Sequence, residues 1–373
     1  MAPRHQEVTY WDYLKLDQFL HLQSGLEQDD DQLLADELHF IVVHQVFELW
    51  FKLILRELYL ARDRMAAPRV HEETIPYVVH HLRRVNAIFR LAVEQFSVVE
   101  TLTPQDFLAF RSKLGTASGF QSLQMREIEA LMGLRDEQRT AFGHLDPLLP
   151  LEKAAQRTAA VAAALERVHQ ARQGVTLRTA LYAWLYRTPI HGSHPGDAGD
   201  TKVVDTFLQE YVDALVAQQT TQIEHLLAAG GNEAAVREQF AAVRRTAQEF
   251  LFAADASAQE QPRLRRIRAG ILFIESYRDL PLLAWPRLLI DTVVEMEELF
   301  VLWRTRHARM VERLIGRRVG TGGSSGVDYL DETTRYRIFT ELWAVRTLLV
   351  PRSVVPPLRH PEMYTFAVEH GTS

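Results

Sequence analysis

The chain has 373 residues, of which 47% are hydrophobic and 24% charged, and its formal net charge is −6. This composition is ordinary for a globular protein, and the negative charge gives no reason to expect nucleic acid as a partner. Cysteine is absent, which excludes disulfides, thiolate-ligated metals and iron–sulfur clusters. A metal or haem would therefore need His, Met, Tyr or carboxylate ligands.

Targeting and membrane signals are also weak. The first thirty residues lack the uninterrupted apolar core of a signal peptide. No apolar run of membrane-spanning length is free of charged residues. We therefore expect a cytoplasmic protein with no membrane span.

Helical periodicity dominates the chain and alternating strand patterns are scarce, so an all-α bundle is the predicted architecture. Residues 31–65 predict one long helix that is apolar on nearly all sides and therefore buried on several of them. A second helix is predicted to begin near Thr74, with Pro76 in its first turn. Thr103 is expected to cap a short helix that has Pro104 at its first position.

The remaining helices follow from the same periodicity and from the positions of Gly and Pro. One helix is predicted over residues 118–133 and another over 286–316, each ended by its glycine. A final helix is expected to begin near residues 333–334. Amphipathic surface helices are predicted over residues 151–172 and 203–229. Residues 187–201 are rich in turn-forming residues and predict a loop.

The loop sequence HGSH carries His191 and His194 next to Asp197 and Asp200. These residue types can hold zinc, but a structural site wants four ligands and a catalytic site usually three. Two imidazoles with carboxylates of uncertain position fall short of that pattern. A solvated loop is the interpretation that the spacing favours.

The sequence GTGGSSG, residues 320–326, is similar to a phosphate-binding loop at first sight. It lacks the Gly-Lys-Ser/Thr ending, and no apolar strand precedes it, so a nucleotide site is not indicated. Two interpretations stay open. The segment is either a flexible connector or a loop that closes over a ligand, with Thr321 and the serines supplying hydroxyls.

Two histidines fall on helices that are predicted to be buried. His44 interrupts the apolar run FIVVHQVFELWFKLIL, and His307 lies on an apolar helix face. Residues on that face recur three or four apart: Phe300, Trp303, His307, Met310 and Leu314. A lone histidine on such a face is more often a core residue bonded to a backbone carbonyl. Two buried imidazoles in a chain without cysteine would also suit a haem held between helices.

Arg111 lies one helical turn after Phe107, with Leu114 a further turn on. An apolar wall beside a guanidinium suits a ligand with an aromatic body and a carboxylate, because arginine makes a two-pronged contact with carboxylates. The alternative is a surface arginine whose stem lies on apolar neighbours.

Several long motifs together resemble the tryptophan 2,3-dioxygenase family. They are YWDYLKLDQFL, DELHFIVVHQVFELWFK, LTPQDFLAFRSKLGTASGFQSLQMRE, YRDLPL and LWRTRHARMVERLIGRRVGTGGSSGVDYL. They occur in the family's order, from about residue 8 to 350. The resemblance implies one all-α domain over residues 1–373 that encloses a b-type haem. Within it, residues 1–30 would be an N-terminal arm, and about 140–260 a variable helical region.

The activity implied is oxidative opening of the indole ring of L-tryptophan by O₂, which gives N-formyl-L-kynurenine in the kynurenine pathway. His307 would be the axial iron ligand, and His44 the distal histidine that bonds the indole N–H. The haem would also contact Ser118 and Trp303. Because the iron must keep one position open for O₂, only one strong protein ligand is expected.

The resemblance also assigns the substrate contacts. Phe40, Phe107 and Leu114 would surround the indole, although some members have Tyr at the position of Phe107. Arg111 would bind the carboxylate of the substrate, and Thr321 its ammonium group. The family forms homotetramers in which the N-terminal arm reaches into a neighbour's pocket. The matching residues are Tyr10, Tyr13 and Leu14, beside Trp11 and Asp12, where small residues are commoner.

Two alternatives to oxygenation of L-tryptophan stay open. The first is a related haem enzyme that oxygenates a substituted tryptophan in secondary metabolism. The second is a haem sensor without catalysis, although a gas sensor has no need of an amino-acid clamp such as Arg111 and Thr321.

Overall fold

The computed structural model describes residues 8–115, 117–139, 149–318, 320 and 326–364. Within these ranges no strand forms, apart from an isolated bridge between Ile190 and Ser193. The all-α prediction is therefore confirmed. The helices, in chain order, are α1 (Tyr10–Leu14), α2 (Leu16–Phe19), α3 (Ala35–Met65), α4 (Thr74–Val99), α5 (Pro104–Arg111), α6 (Leu123–Met132), α7 (Leu149–Ala155), α8 (Ala159–Gln173), α9 (Leu177–Leu185), α10 (Asp200–Ala228), α11 (Glu233–Leu251), α12 (Gln261–Ser276), α13 (Ala284–Ile315), α14 (Val327–Thr333) and α15 (Thr340–Thr347).

The centre of the fold is α4, which packs against both α3 and α13. Aromatic side chains fill these two interfaces, with Phe89 of α4 lying 5.3 Å from the ring of Phe300 on α13. Phe47 of α3 lies 5.0 Å from the ring of Phe96 on α4. All four side chains are buried, and burial of each aromatic ring stabilises the fold by about 1.5–3 kcal/mol. The same interfaces fix the positions of α3 and α13 relative to α4.

α3 is the one described helix with enough length and apolar residues to cross a bilayer. Composition alone does not separate such a span from a helix in a protein core. α3 packs against α4, α6 and α9, and its core face is formed by residues spaced three or four apart. That face comprises Val43, Phe47, Phe51, Ile54 and Leu58.

The helix ends that depend on local signals lie where the sequence predicts them. The Thr103 side chain accepts a hydrogen bond from the backbone N–H of Asp106, with Pro104 at the first helical position of α5. Gly133 ends α6 in the left-handed region at φ 112°, a conformation that glycine adopts without steric cost. Pro286 lies in the first turn of α13, which begins two residues before it.

Two predicted helix starts are wrong. The helix expected from Ser118 begins at Leu123, because residues Gly119–Gln121 form a 3₁₀ turn and Ser122 caps α6 through its side chain. The final helix, expected to begin near residues 333–334, begins at Thr340, and the short helix α14, which was not predicted, ends at Thr333. The segment between them is held by a buried carboxylate, Glu297, which accepts hydrogen bonds from the backbone N–H groups of Ile338 and Phe339.

Candidate functional site

His44 of α3 and His307 of α13 line the same two cavities. The first cavity has a volume of about 120 Å³ and the second about 450 Å³. Both imidazoles are only half-buried by accessible surface, because the surface that they expose faces these cavities. They otherwise lie deep within the protein. The two predicted site histidines are therefore brought together from positions 263 residues apart in the chain.

The orientation of His44 is set by Phe40, one turn earlier on α3. The Nδ1 atom of His44 lies 2.7 Å from the backbone carbonyl oxygen of Phe40, which can only accept a hydrogen bond. Burial lowers the pKa of His44, so its ring is neutral at physiological pH. In a neutral ring that donates from Nδ1, the other nitrogen, Nε2, carries a lone pair and is an acceptor.

His307 is surrounded by aromatic rings. The ring of Trp303 lies 5.2 Å away and that of Phe96 lies 6.0 Å away, the latter stacked on the imidazole. Burial lowers the pKa of His307 to about 4, and the nearby His44 and the charges of Arg304 and Arg126 lower it further. The ring is therefore neutral at physiological pH, and neutral imidazole is the form that binds metals.

Five of the other predicted site residues line the first cavity with both histidines: Phe40, Phe107, Arg111, Leu114 and Ser118. The rings of Phe40 and Phe107 lie 5.8 Å apart and form an apolar wall. Arg111 is half-buried, so its guanidinium supplies a cationic edge to a cavity that is otherwise mainly apolar. An aromatic ligand that bears an anionic group matches this combination of surfaces.

Local structure places Arg111 in that cavity. It is the last residue of α5 and is followed by a 3₁₀ turn, Ser112–Leu114. Gly115 ends this turn with a φ of 55°. Lys113 in the turn forms ion pairs with Glu27 and Glu37, 2.7 Å in each case. The pair with Glu37 holds the turn against the N-terminal end of α3, and the pair with Glu27 holds it against the segment that precedes α3.

The second cavity is larger and more apolar. Trp303 lies in its wall, and the indole Nε1 of this residue is buried with no hydrogen-bond partner among the described residues. Further apolar lining comes from Phe47, Phe51, Phe96, Met125 and Met310. Its polar lining includes Gln45, Glu48, Lys52 and Gln124. A large flat ligand with an apolar body and polar edge groups fits this lining.

Tyr10, Tyr13 and Leu14 of α1 line neither cavity of their own chain. Their exposed fractions are 76%, 79% and 42%, which is unusual for apolar and aromatic side chains in one short helix. Thr321, the residue expected to bind an ammonium group, lies outside the described residues. Its described neighbours Gly320 and Gly326 both line the first cavity, so the glycine-rich segment begins and ends beside the site.

Some lining residues were not identified from the sequence. Val311 and Ile315 line the first cavity one and two turns after His307, and the spacing of four residues from that histidine is a signal that could have found them. Ser122 and Met125 line the second cavity. They escaped notice because the start of their helix was placed five residues too early.

The residues of the HGSH loop make contacts away from the two cavities. His191 is buried, and its Nδ1 accepts a hydrogen bond from the backbone N–H of Arg359. Asp200 forms an ion pair with the buried Arg266, with 2.6 Å between a guanidinium nitrogen and the carboxylate. His194 is exposed and lies 3.6 Å from the carboxylate of Asp197. Among the described residues, no group of three or more His, Asp or Glu side chains is arranged to hold a metal ion.

Comparisons with known proteins agree with this geometry. A family model described as tryptophan 2,3-dioxygenase matches residues 3–349. The chain is 47% identical to tryptophan 2,3-dioxygenase 2 of Ralstonia nicotianae, over 97% of this chain and 98% of the relative. It is 44% identical to tryptophan 2,3-dioxygenase of Sorangium cellulosum, over 98% and 89% of the two chains. The enzyme of that name from Anopheles gambiae is 33% identical, over 94% and 88%. The chain belongs to the tryptophan 2,3-dioxygenase family and is an oxidoreductase of the dioxygenase class.

Proposed function

We propose that this dioxygenase inserts O₂ into the C2–C3 bond of the indole ring of L-tryptophan, giving N-formyl-L-kynurenine, on a b-type haem bound through His307. The observation that carries the proposal is the meeting of His44 and His307 in two shared cavities. The names of the relatives support the choice of substrate. An aromatic wall and a half-buried arginine in the first cavity suit an aromatic amino acid.

The residues of the second cavity fit a haem. Its volume of about 450 Å³ lies within the usual range for cofactor and ligand sites, about 300–1,000 Å³. His307 offers a neutral nitrogen ligand, and the chain contains no cysteine that could compete for the iron. The buried N–H of Trp303 has no acceptor among the described residues, and a polar group of a bound cofactor would satisfy it. His307 and Trp303 of this cavity would hold the group, with Ser118 contacting it from the adjoining first cavity.

A haem bound there would supply the iron chemistry that lets O₂ react with an organic substrate. The protein's own contribution is to bind and orient the substrate and to exclude water. Phe40 and Phe107 would hold the indole plane, with Leu114 beside them. Because these side chains form one wall of the first cavity, they restrict the indole to few orientations.

His44 would position the indole nitrogen. Its Nδ1 is committed to the carbonyl oxygen of Phe40, so its Nε2 is the acceptor that remains for the indole N–H. The hydrogen bond would hold the proton on the indole nitrogen and fix the rotation of the ring in its plane. A neutral His44 is required for this role, and the lowered pKa of His44 keeps the ring neutral.

The amino-acid end of the substrate would meet Arg111 and the glycine-rich segment. A guanidinium can donate two parallel hydrogen bonds to a carboxylate. Thr321 would contact the ammonium group, and the residue before it in the sequence, Gly320, lines the same cavity. Recognition of both charged groups predicts that a substrate lacking either one loses rate as well as affinity.

A homotetramer completes the proposal, with α1 of one subunit covering the substrate pocket of a neighbour. The exposure of Tyr10, Tyr13 and Leu14 in the single chain supports a partner for this helix. A cytoplasmic location and a role in tryptophan catabolism through the kynurenine pathway belong to the same proposal.

The test is an assay of the purified, reduced holoenzyme with L-tryptophan and O₂, in which the product is identified and the absorption spectrum is recorded before and after addition. Formation of N-formyl-L-kynurenine with one O₂ consumed per tryptophan is the expected result. Faster turnover of ring- or β-substituted tryptophans than of tryptophan would assign the enzyme to the substituted substrate instead. A haem spectrum that responds to O₂ without consumption of tryptophan would identify a sensor.

A further inference from the structure

One lysine holds the 3₁₀ turn Ser112–Leu114, which follows α5. The Nζ atom of Lys113 lies 2.7 Å from a carboxylate oxygen of Glu37, in the first turn of α3, and 2.7 Å from a carboxylate oxygen of Glu27, in the segment that precedes α3. Glu37 is 5% exposed, whereas the side chain of Lys113 is 31% exposed. One ammonium group thus bridges two carboxylates and joins three segments of the chain.

The neighbours of Lys113 in this turn face the first cavity. Arg111, the last residue of α5, and Leu114, the last residue of the turn, both line that cavity, and Lys113 is not among its described lining residues. Side chains three residues apart in a 3₁₀ helix lie on the same side of it, so the turn presents Arg111 and Leu114 together. Lys113 can therefore hold the turn without touching a ligand.

The contact with Glu37 also connects this turn to the aromatic wall of the cavity. Phe40 follows Glu37 on α3 by less than one helical turn, and its ring lies 5.8 Å from the ring of Phe107 on α5. The wall is therefore built from the same two helices whose ends the Lys113–Glu37 pair connects. A shift of one helix end relative to the other would change the distance between the guanidinium of Arg111 and the ring of Phe40.

Removal of the ammonium group would set the two carboxylates against each other. Without Lys113, the carboxylates of Glu27 and Glu37 would face each other across the space that Nζ occupies, and like charges repel. Because Glu37 is buried, water compensates its charge poorly, and loss of the partner of a buried charge is strongly destabilising. The segments that carry the two carboxylates would move apart, and the turn that they clamp would lose its fixed position.

We infer that Lys113 is a positioning residue for substrate recognition: by bridging Glu27 and Glu37, it holds Arg111 at the distance from the ring of Phe40 at which one aromatic amino acid contacts both. The inference rests on the proposed binding of the substrate carboxylate by Arg111. Misplacement of a binding group costs affinity and rate even when every group that touches the substrate is still present. Because Lys113 acts through Arg111, a ligand that does not use Arg111 should bind independently of Lys113.

A double-mutant cycle separates this role from a general loss of structure. Lys113→Met removes the charge and keeps an apolar stem, Lys113→Arg keeps the charge, and each is made both in the wild type and in Arg111→Ala. Arg265→Met is the matched control, because Arg265 pairs with Asp205 at 3.1 Å between α12 and α10 and lines neither cavity. Binding of L-tryptophan and of its decarboxylated analogue tryptamine to each holoenzyme is measured by spectral titration, and thermal unfolding is recorded in parallel.

We expect Lys113→Met to weaken binding of L-tryptophan about fivefold and binding of tryptamine by less than about twofold. Lys113→Arg and Arg265→Met should stay within about twofold of the wild type for both ligands. In Arg111→Ala, the further change Lys113→Met should alter binding of L-tryptophan by less than about twofold. Equal losses for the two ligands, equal losses in the two backgrounds, or a lowered unfolding temperature with unaltered binding would indicate a purely structural lysine and overturn the inference.

If Lys113→Met does not fold, Glu37→Gln decides by the same comparison, because it removes the buried charge that Lys113 contacts. It should weaken binding of L-tryptophan and spare that of tryptamine. Failure of the proposed function gives a different result. Unchanged binding of L-tryptophan in Arg111→Ala alone would reject the carboxylate contact, and the inference with it. Weakened binding in Arg111→Ala with unaltered binding in Lys113→Met rejects the positioning role alone.

Discussion

Phe40 holds the imidazole of His44 at two points. Its backbone carbonyl oxygen accepts a hydrogen bond from Nδ1 at 2.7 Å, and its ring lies 4.0 Å from the imidazole with the two planes tilted by 36°. The hydrogen bond fixes the tautomer, and the ring contact fixes the rotation of the side chain. His44 is thereby prepared to accept a hydrogen bond at Nε2 before any substrate arrives.

Replacement of His44 tests its role as the hydrogen-bond acceptor of the indole N–H. His44→Ala should retain haem and lower kcat/KM for L-tryptophan about three- to tenfold, the effect of one lost hydrogen bond of ~0.5–1.5 kcal/mol. Steady-state kinetics and the haem content of the purified variant provide the measurement. A tryptophan methylated at the indole nitrogen is the control, because it lacks the N–H and should react equally well with both proteins. An equal loss on both substrates would show that His44 acts in another way.

Removal of the Arg111 guanidinium tests whether Arg111 binds the carboxylate of the substrate. Arg111→Ala should weaken the binding of L-tryptophan by about 2 kcal/mol, or ~30-fold, the lower end of the range for a buried charge pair because Arg111 is half-buried. Substrate binding is followed by titration of the holoenzyme spectrum. The decarboxylated analogue tryptamine should bind the variant and the wild type alike. An unchanged Michaelis constant for L-tryptophan in Arg111→Ala would refute the clamp.

Substitution of an exposed residue of α1 tests the proposed contact between subunits. Tyr13→Ala should raise KM for L-tryptophan about three- to tenfold and leave haem content and the unfolding temperature unchanged, because Tyr13 is 79% exposed within its own chain. Val243→Ala is the matched control, since Val243 is 46% exposed and lies on α11, outside the N-terminal arm. The subunit arm would be contradicted if both variants had wild-type kinetics, or if the protein were a monomer at full activity.

His191 predicts a dependence of stability on pH. Burial, and then the charge of Arg359, lower the pKa of His191 in the folded chain, whereas the unfolded chain has the ordinary value of about 6.5. Above that value neither state is protonated. As the pH falls below it, the unfolded chain binds a proton that the folded chain does not, so stability is lost by up to about 1.4 kcal/mol per pH unit until the lowered pKa is reached.

His191→Asn should flatten this dependence. Asparagine tolerates the positive φ of 47° at this position, and its side-chain oxygen can accept from the N–H of Arg359. Denaturant unfolding of the two proteins at about pH 7.5 and about pH 5.5 measures the difference. The exposed His194 of the same loop gives the control variant His194→Asn, which should retain the wild-type dependence. Parallel stability curves for wild type and His191→Asn would contradict the assignment.

Periodicity and capping, which are local signals, predicted the parts of the fold that depend on neighbours in sequence. The capped start of α5 at Thr103 is set within three residues, and the apolar face of α13 around His307 repeats every turn. The same signals placed both site histidines on buried helices. Their meeting in one site was not visible from spacing, and it was anticipated through the resemblance of the surrounding motifs to one family.

The features that sequence reasoning missed depend on distant contacts. Glu297 accepts hydrogen bonds from the backbone N–H groups of Ile338 and Phe339 from about forty residues away. This tertiary contact holds the residues just before Thr340 outside the helix that was expected to begin near residues 333–334. Arg304 of α13 likewise forms an ion pair with the buried Glu129 of α6 across 175 residues. In the sequence these are ordinary charged residues on helices, and only the packing of α6 against its neighbours makes them a buried centre.

The most direct test of the central claim is the haem content and reduced absorption spectrum of His307→Ala, compared with His44→Ala. If His307 binds the iron, the first variant loses haem or loses the spectrum of an imidazole-bound ferrous haem, while the second keeps both. Full retention of haem with an unchanged spectrum in His307→Ala would contradict the account, because the iron would then be held by another residue.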